Sequence, residues 1–398
     1  MRRGLAATLA RVLARVLAPV LAPVLAPVLA PTPASMRVIT LAGVIANAGS
    51  IATGAAVRLS QSGLGCPTWP QCTGGSLVAA SSSQSTLVHA WVEFGNRLFV
   101  TLIMIVAAAV LVAAWRFRTG DAPGTAGGPG AGRWPADRRR LVWLAAVQPA
   151  GVALQAILGG IVVLTKLDPA TVSIHFLASI AILAASVMLH LMFARPTAAP
   201  DAVVRADLRW LSAGLLAVTG VMLAAGTVVT GTGPLAGAAS VPRYHLPLVG
   251  ATQFHADIGW MLTGLTVAIV IALRVADPPG AAVRRGWLLL GLILVQGAIG
   301  YSQYFSGLPA GLVWVHVLGA TLVWIAALRL FFALRPAALR LNALEPGTPR
   351  PDALRPGPSE HDALRPGPSE HDALRPGPSE HDALRPDAAP LPQHPHVP

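Results

Sequence analysis

Apolar residues in this chain come in long runs, not in the narrow stripes of soluble helices. Eight runs stand out: Met36–Val57, Val88–Trp115, Leu141–Leu164, Val172–Ala194, Leu208–Thr230, Phe254–Val275, Gly286–Phe305 and Leu312–Leu334. About 20 residues at 1.5 Å each cross a hydrocarbon core of ~30 Å. The pattern therefore predicts an all-α integral membrane protein with eight transmembrane helices. The second run is interrupted in a telling way. Its opening stretch, LVHAWVEFGNRLFV from Leu87 to Val100, carries His89, Glu93, Asn96 and Arg97. Spacings of four and three put His89, Glu93 and Asn96 on one helical face. Polar and ionisable groups inside a membrane span are costly and mark a functional site by default.

Outside these runs the pattern changes at both ends. Residues 1–35 are low-complexity, with the tetrad LAPVLAPVLAPVLAP from Leu17 to Pro31. A proline every fourth residue removes a helical donor each turn, at ~3 kcal/mol apiece, so no spanning helix is expected there. Residues 1–35 are read as an N-terminal extension, with Met36 opening the first convincing span. Residues 335–398 carry the repeat DALRPGPSEH, starting at Asp352, Asp362 and Asp372. Rich in Pro, Gly and alternating charge, this tail has no core to bury and is expected to be disordered. His361, His371 and His381 come with the repeat and are assigned no metal.

An internal repeat divides the rest. At a constant offset of 141, Gln155 matches Gln296, Gly159 matches Gly300, Leu167 matches Leu308, His175 matches His316 and Leu177 matches Leu318. A weaker echo relates Thr53-Gly54 to Thr230-Gly231. The eight spans thus form two tandem four-helix-bundle halves, 36–194 and 195–334, of the same orientation.

Composition agrees: hydrophobic residues make up 54% and charged residues 12%, with a mean hydropathy of +0.61. The net charge of +12 raises the question of nucleic acid, but no binding motif or aromatic interleaving accompanies the basic residues. They follow topology instead. Segments 116–140, 195–207 and 275–285 carry ten Arg, whereas the other connections carry Lys166 and Arg243, with Arg58 at one edge. The positive-inside rule places the Arg-rich connections and both termini in the cytoplasm of a multi-pass cell-membrane protein. Membrane lipid is then a partner, and nucleic acid is not.

This topology brings His89, His175, His255 and His316 near the external ends of the even-numbered spans. A single interfacial histidine is commonly a polar anchor, but four at similar depth point to a shared purpose. Zinc would need further Cys or carboxylate ligands, for which only Glu93 and Asp257 are at hand. Haem iron needs one or two axial imidazoles and an apolar slot, which a helix bundle provides. His190 and His245 are read as structural, and Asp257 as an interfacial charge. The first external connection, SGLGCPTWPQCTGG, holds Cys66 and Cys72. On an oxidising face such thiols pair more readily than they stay free, and without CxxCH they are no covalent haem attachment.

In GLGCPTWPQC, EFGNR, HFLAS at His175, FHADIG at His255 and WVHVLGA at His316, taken in order, the chain resembles the heme A synthase family over about Met36 to Leu334. The resemblance implies oxidation of a ring methyl of heme O to a formyl group by successive hydroxylations. It implies a b-type haem (heme b) as cofactor on His255 and His316, with substrate haem near His175. Glu93 becomes the catalytic carboxylate and Cys66–Cys72 a disulfide. Implied partners are heme O, heme O synthase, terminal oxidase assembly factors and an electron donor or acceptor that the residues do not identify. One departure matters: where many members have Glu-x-x-His, this chain has Asn96. Either His175 alone holds the substrate iron, with Asn96 hydrogen-bonding nearby, or His89 substitutes. The alternative to heme A synthesis is a diheme b-type membrane cytochrome that exchanges electrons with quinol. A transporter fits less well, because its halves are often inverted repeats.

Overall fold

In the computed structural model, described residues are 22–335 except 24, 74, 80–85, 118–137, 195–204, 239 and 277–279. The expectations for the repeat tail and for most of the N-terminal extension lie outside them. Eight long helices follow: α1 Pro33–Leu59, α2 Leu87–Arg116, α3 Arg138–Leu164, α4 Pro169–Ala194, α5 Ala206–Thr232, α6 Leu248–Val275, α7 Gly280–Phe305 and α8 Ala310–Ala333. All eight are long and apolar enough to cross a membrane. The chain is a multi-pass membrane protein with the all-helical architecture expected.

Several helices begin ahead of the apolar limits, and at α1 and α4 side-chain caps mark the earlier start. At α1, Thr32 as N-cap and Ser35 at N3 form a capping box across Pro33, so the helix begins three residues ahead of Met36. The amides of Ala170 and Thr171 are accepted by Asp168 Oδ1, which caps α4. Pro149 lies inside α3, a position tolerated in membrane helices when neighbours and water compensate the freed carbonyl.

Each half is a ring of four helices, α1-α2-α3-α4 and α5-α6-α7-α8, and the halves meet along α1 and α4 against α5 and α8. Leu208, Leu215, Ile269, Leu273 and Leu289 centre the second bundle. Met36, Val110, Leu141 and Phe193 close the Arg-rich end of the first. Between the halves lie Val44, Leu183, Leu223 and Trp324, and the Trp324 indole donates to the Ile180 carbonyl at 3.1 Å.

The sequence repeat is also a repeat of backbone. The turn from α3 to α4 puts Lys166 and Leu167 in the left-handed region, at φ 56° and 61°, and the turn from α7 to α8 does the same with Gly307 and Leu308, at 78° and 61°. Leu167 N donates to Val162 O, and Leu308 N donates to Gln303 O, both at 2.8 Å. A non-glycine residue tolerates that φ only when surrounding contacts hold it. Leu167 is held by burial against Ala236 and Val241 of the α5–α6 connection.

Candidate functional site

In the second half, α6 and α8 stand diagonally across the ring, and one imidazole from each fills the gap. His255 is the eighth residue of α6 and His316 the seventh of α8. Their ring centroids are 6.3 Å apart at an interplanar angle of 66°. A Cβ on Gly226 of α5 would stand 3.2 Å from His255 Cε1, and one on Gly300 of α7 would stand 3.2 Å from His316 Cε1. Two glycines therefore let neighbouring helices lie against the imidazoles. The Gln296 amide donates to the His316 carbonyl. His255 Nδ1 and His316 Nδ1 are buried without hydrogen-bond partners.

The first half repeats one side of this arrangement. His175 is the seventh residue of α4, Gln155 Nε2 donates to its carbonyl at 3.1 Å, and a Cβ on Gly159 would stand 3.4 Å from its Cε1. His175 Nδ1 is also buried and unpartnered. The helix across the diagonal is α2, which offers half-buried Asn96. Among the described residues the Asn96 amide makes no side-chain hydrogen bond. His89 is only the third residue of α2, about one turn nearer its helix end than the other three histidines are to theirs. Its Nδ1 is 2.8 Å from Ser62 Oγ of the α1–α2 connection.

Glu93 and Arg97 hold that loop down. The Glu93 side chain is buried, with Oε2 accepting from Cys66 N at 2.7 Å and Oε1 from Arg97 Nη2 at 2.8 Å. The Arg97 guanidinium also donates to the carbonyls of Cys66, Thr68, Pro70 and Gln71 at 3.0–3.3 Å. Cys66 and Cys72 are bridged. Gly65 lies so close to the first turn of α2 that any Cβ would collide with the His89 carbonyl. On its far side the loop reaches α3, where the Trp69 indole would be 2.7 Å from a Cβ on Gly160, the neighbour of Gly159. The disulfide loop thus bridges the N-terminal end of α2 and the C-terminal end of α3, one residue from the glycine that faces His175.

Other candidates have ordinary partners. Asp257 accepts from Gln253 at 2.8 Å and not from His255, His190 Nδ1 is 3.1 Å from Thr40 Oγ1, and His245 is exposed. Among the described residues no three His, Cys, Asp or Glu converge as a metal-ligand set. Sequence reasoning missed the roles of Gly226, Gly159, Gly300 and Trp69. Their signal was present as glycines at helical spacing opposite histidines, but nothing in one dimension tells which glycine faces which ring.

The profile of the COX15-CtaA family, cytochrome oxidase assembly protein, covers residues 37–328, from the start of α1 nearly to the end of α8. No curated protein matches the chain.

Proposed function

The chain belongs to the COX15-CtaA family of cytochrome oxidase assembly proteins, and on that premise we propose that it is a heme A synthase, converting heme O to heme A. The observation that carries this reading is the His255–His316 pair. Imidazole nitrogens bind a metal at about 2 Å, so two rings that shared one iron would stand with their centroids about 6 Å apart. The observed spacing is 6.3 Å, in a gap whose flanks are glycine. His255 and His316 would hold a b-type haem, and that group would supply one-electron exchange.

The first half supports a different task. It presents His175 with the same glutamine and glycine neighbours, but Asn96 in place of a second imidazole. A single imidazole suits a substrate that must enter and leave better than a permanent, doubly ligated cofactor. This asymmetry is what separates the reading from a diheme cytochrome. His175 is assigned to the substrate iron, Asn96 to hydrogen bonding beside it, and His89 to the loop through Ser62.

Chemistry on the methyl group balances as R–CH3 + H2O → R–CH2OH + 2 H+ + 2 e−. A second round gives the gem-diol, which loses water to the formyl group. The electrons pass singly to a one-electron oxidant. Glu93 is assigned the proton-accepting and charge-stabilising role. A carboxylate has about four lone-pair sites, and Cys66 N, the Gly65 backbone and Arg97 leave part of that capacity open. The bridged loop over α2 and α3 shields this end of the bundle from external water.

Heme O then comes from a heme O synthase, and the product goes to terminal oxidase assembly. By the positive-inside rule the Arg-rich connections support a cell-membrane protein with both termini cytoplasmic. Co-expression with a heme O source, followed by pigment extraction and mass analysis, tests the reading. Heme A is the expected product. Two stably bound b-type haems with no heme A would overturn the assignment in favour of the cytochrome.

A further inference from the structure

A polar cluster in the first half has no counterpart in the second. Asn47 of α1 donates from Nδ2 to Gln148 Oε1 at 3.2 Å and to Ser186 Oγ at 3.0 Å. Ser186 Oγ donates to the same Gln148 oxygen. The three residues are 7%, 1% and 2% exposed, yet Gln148 Nε2 is buried with no partner. Beside it, Pro149 has no N–H to give the Ala145 carbonyl one turn earlier. An unpaired donor and an under-satisfied acceptor in one buried turn are the setting in which proteins hold ordered water.

The repeat supplies the contrast. Gln148, Pro149 and Ser186 correspond to Leu289, Leu290 and Ala327, and Asn47 to Ala224. Towards the Arg-rich end the next polar pair is Thr40–His190, at 3.1 Å. Its counterparts are Ala217 and Phe331. Towards the external end, Ser50 and Thr53 continue along α1, each hydroxyl bonded to its own helix. Ile182 packs against Gly151 and closes the α3–α4 seam, so the continuous polar side is that of α1. Polar residues kept inside one half of a duplicated membrane bundle call for a use specific to that half.

We propose that Asn47, Gln148 and Ser186 bind water, and that this water continues through Thr40 and His190 as a path for protons leaving the first half. The path, though not the water site, rests on the oxidative function above. Each hydroxylation releases two protons into an apolar bundle while the electrons depart to the one-electron oxidant, so the protons need an exit of their own. Asn47 and Thr40 are seven residues apart, a rise of about 10 Å. Two or three waters at hydrogen-bonding distance span that gap.

Infrared difference spectra of the purified full chain, in H2 18O against H2 16O, read internal water directly. Wild type is expected to show isotope-sensitive O–H bands that disappear in Asn47→Ala/Gln148→Leu/Ser186→Ala, the variant that copies the second half. Gln148→Leu alone serves if the triple variant does not fold, as judged by retention of b-type haem. Heme O conversion should fall about tenfold or more in the variant, and Ser186→Thr, which keeps the hydroxyl, should lose less than Ser186→Ala. Identical bands in wild type and variant overturn the water site. Undiminished conversion by the variant overturns the path. A wild type with the bands but no conversion of heme O overturns the proposed function and the path together, and leaves the water site standing.

Discussion

Arg97 lies one helical turn beyond Glu93, and its Nη2 meets Glu93 Oε1 at 2.8 Å. The pair is more than mutual neutralisation, because both partners also bind the backbone of the disulfide loop. Removing either charge therefore disturbs the loop, and removing the carboxylate also takes away the proposed proton acceptor.

Glu93→Gln is expected to lower heme O conversion by about 10²-fold or more. Content of b-type haem should stay near normal, since no proposed ligand changes, and heme O or a hydroxylated intermediate should accumulate. Mass analysis of extracted pigments at equal protein decides the matter when Glu93→Gln/Arg97→Gln is run beside the single variant. Restored heme A in the double variant would reduce Glu93 to a counter-ion for Arg97.

The two halves should separate cofactor from substrate. His255→Ala or His316→Ala is expected to lower bound b-type haem, because Ala cannot replace an axial imidazole. His175→Ala is expected to abolish conversion while most of the b-type spectrum remains. Reduced-minus-oxidised spectra of the three purified variants test this, and equal haem loss in all three would show that the halves do not divide the work.

The glycine flanks give a finer test. Gly300→Val and Gly226→Val place branched side chains where a single Cβ already approaches the imidazole carbon to 3.2 Å. Each should lower b-type haem content or shift its spectrum. Gly159→Val should instead impair conversion, by the same crowding at His175. A b-type spectrum unchanged in both of the first two variants would mean that the rings are not packed as described.

Breaking the bridge with Cys66→Ser should loosen the loop, since closing so short a loop contributes about 2–3 kcal/mol, by a model-dependent mechanism. The expected outcome is reduced conversion with b-type haem largely retained. Alkylation of the untreated wild-type protein should label neither cysteine, and labelling of both would remove the bridge from the account.

Much of this protein is legible in one dimension. Eight spans, their tandem halves and the histidines came from run length, Arg placement and the constant offset relating His175 to His316, because a membrane imposes its thickness and charge rule on sequence directly. Helix limits were less legible: Thr32 and Ser35 start α1 early through side-chain capping, which hydropathy does not register. Beyond the i, i+4 pair of Glu93 and Arg97, tertiary structure decided which polar groups meet. His89, Glu93 and Asn96 share a helical face by spacing, yet His89 bonds to Ser62, Glu93 to Cys66 N and Arg97, and Asn96 to none of them. Gln148 and Ser186 lie singly in apolar runs, and it is the packing of α1, α3 and α4 that brings them to Asn47. Spacing along a helix sets the direction in which a side chain leaves its own axis. What stands opposite depends on the depth and rotation of neighbouring helices, which the packing of buried side chains such as Ile182 on Gly151 determines.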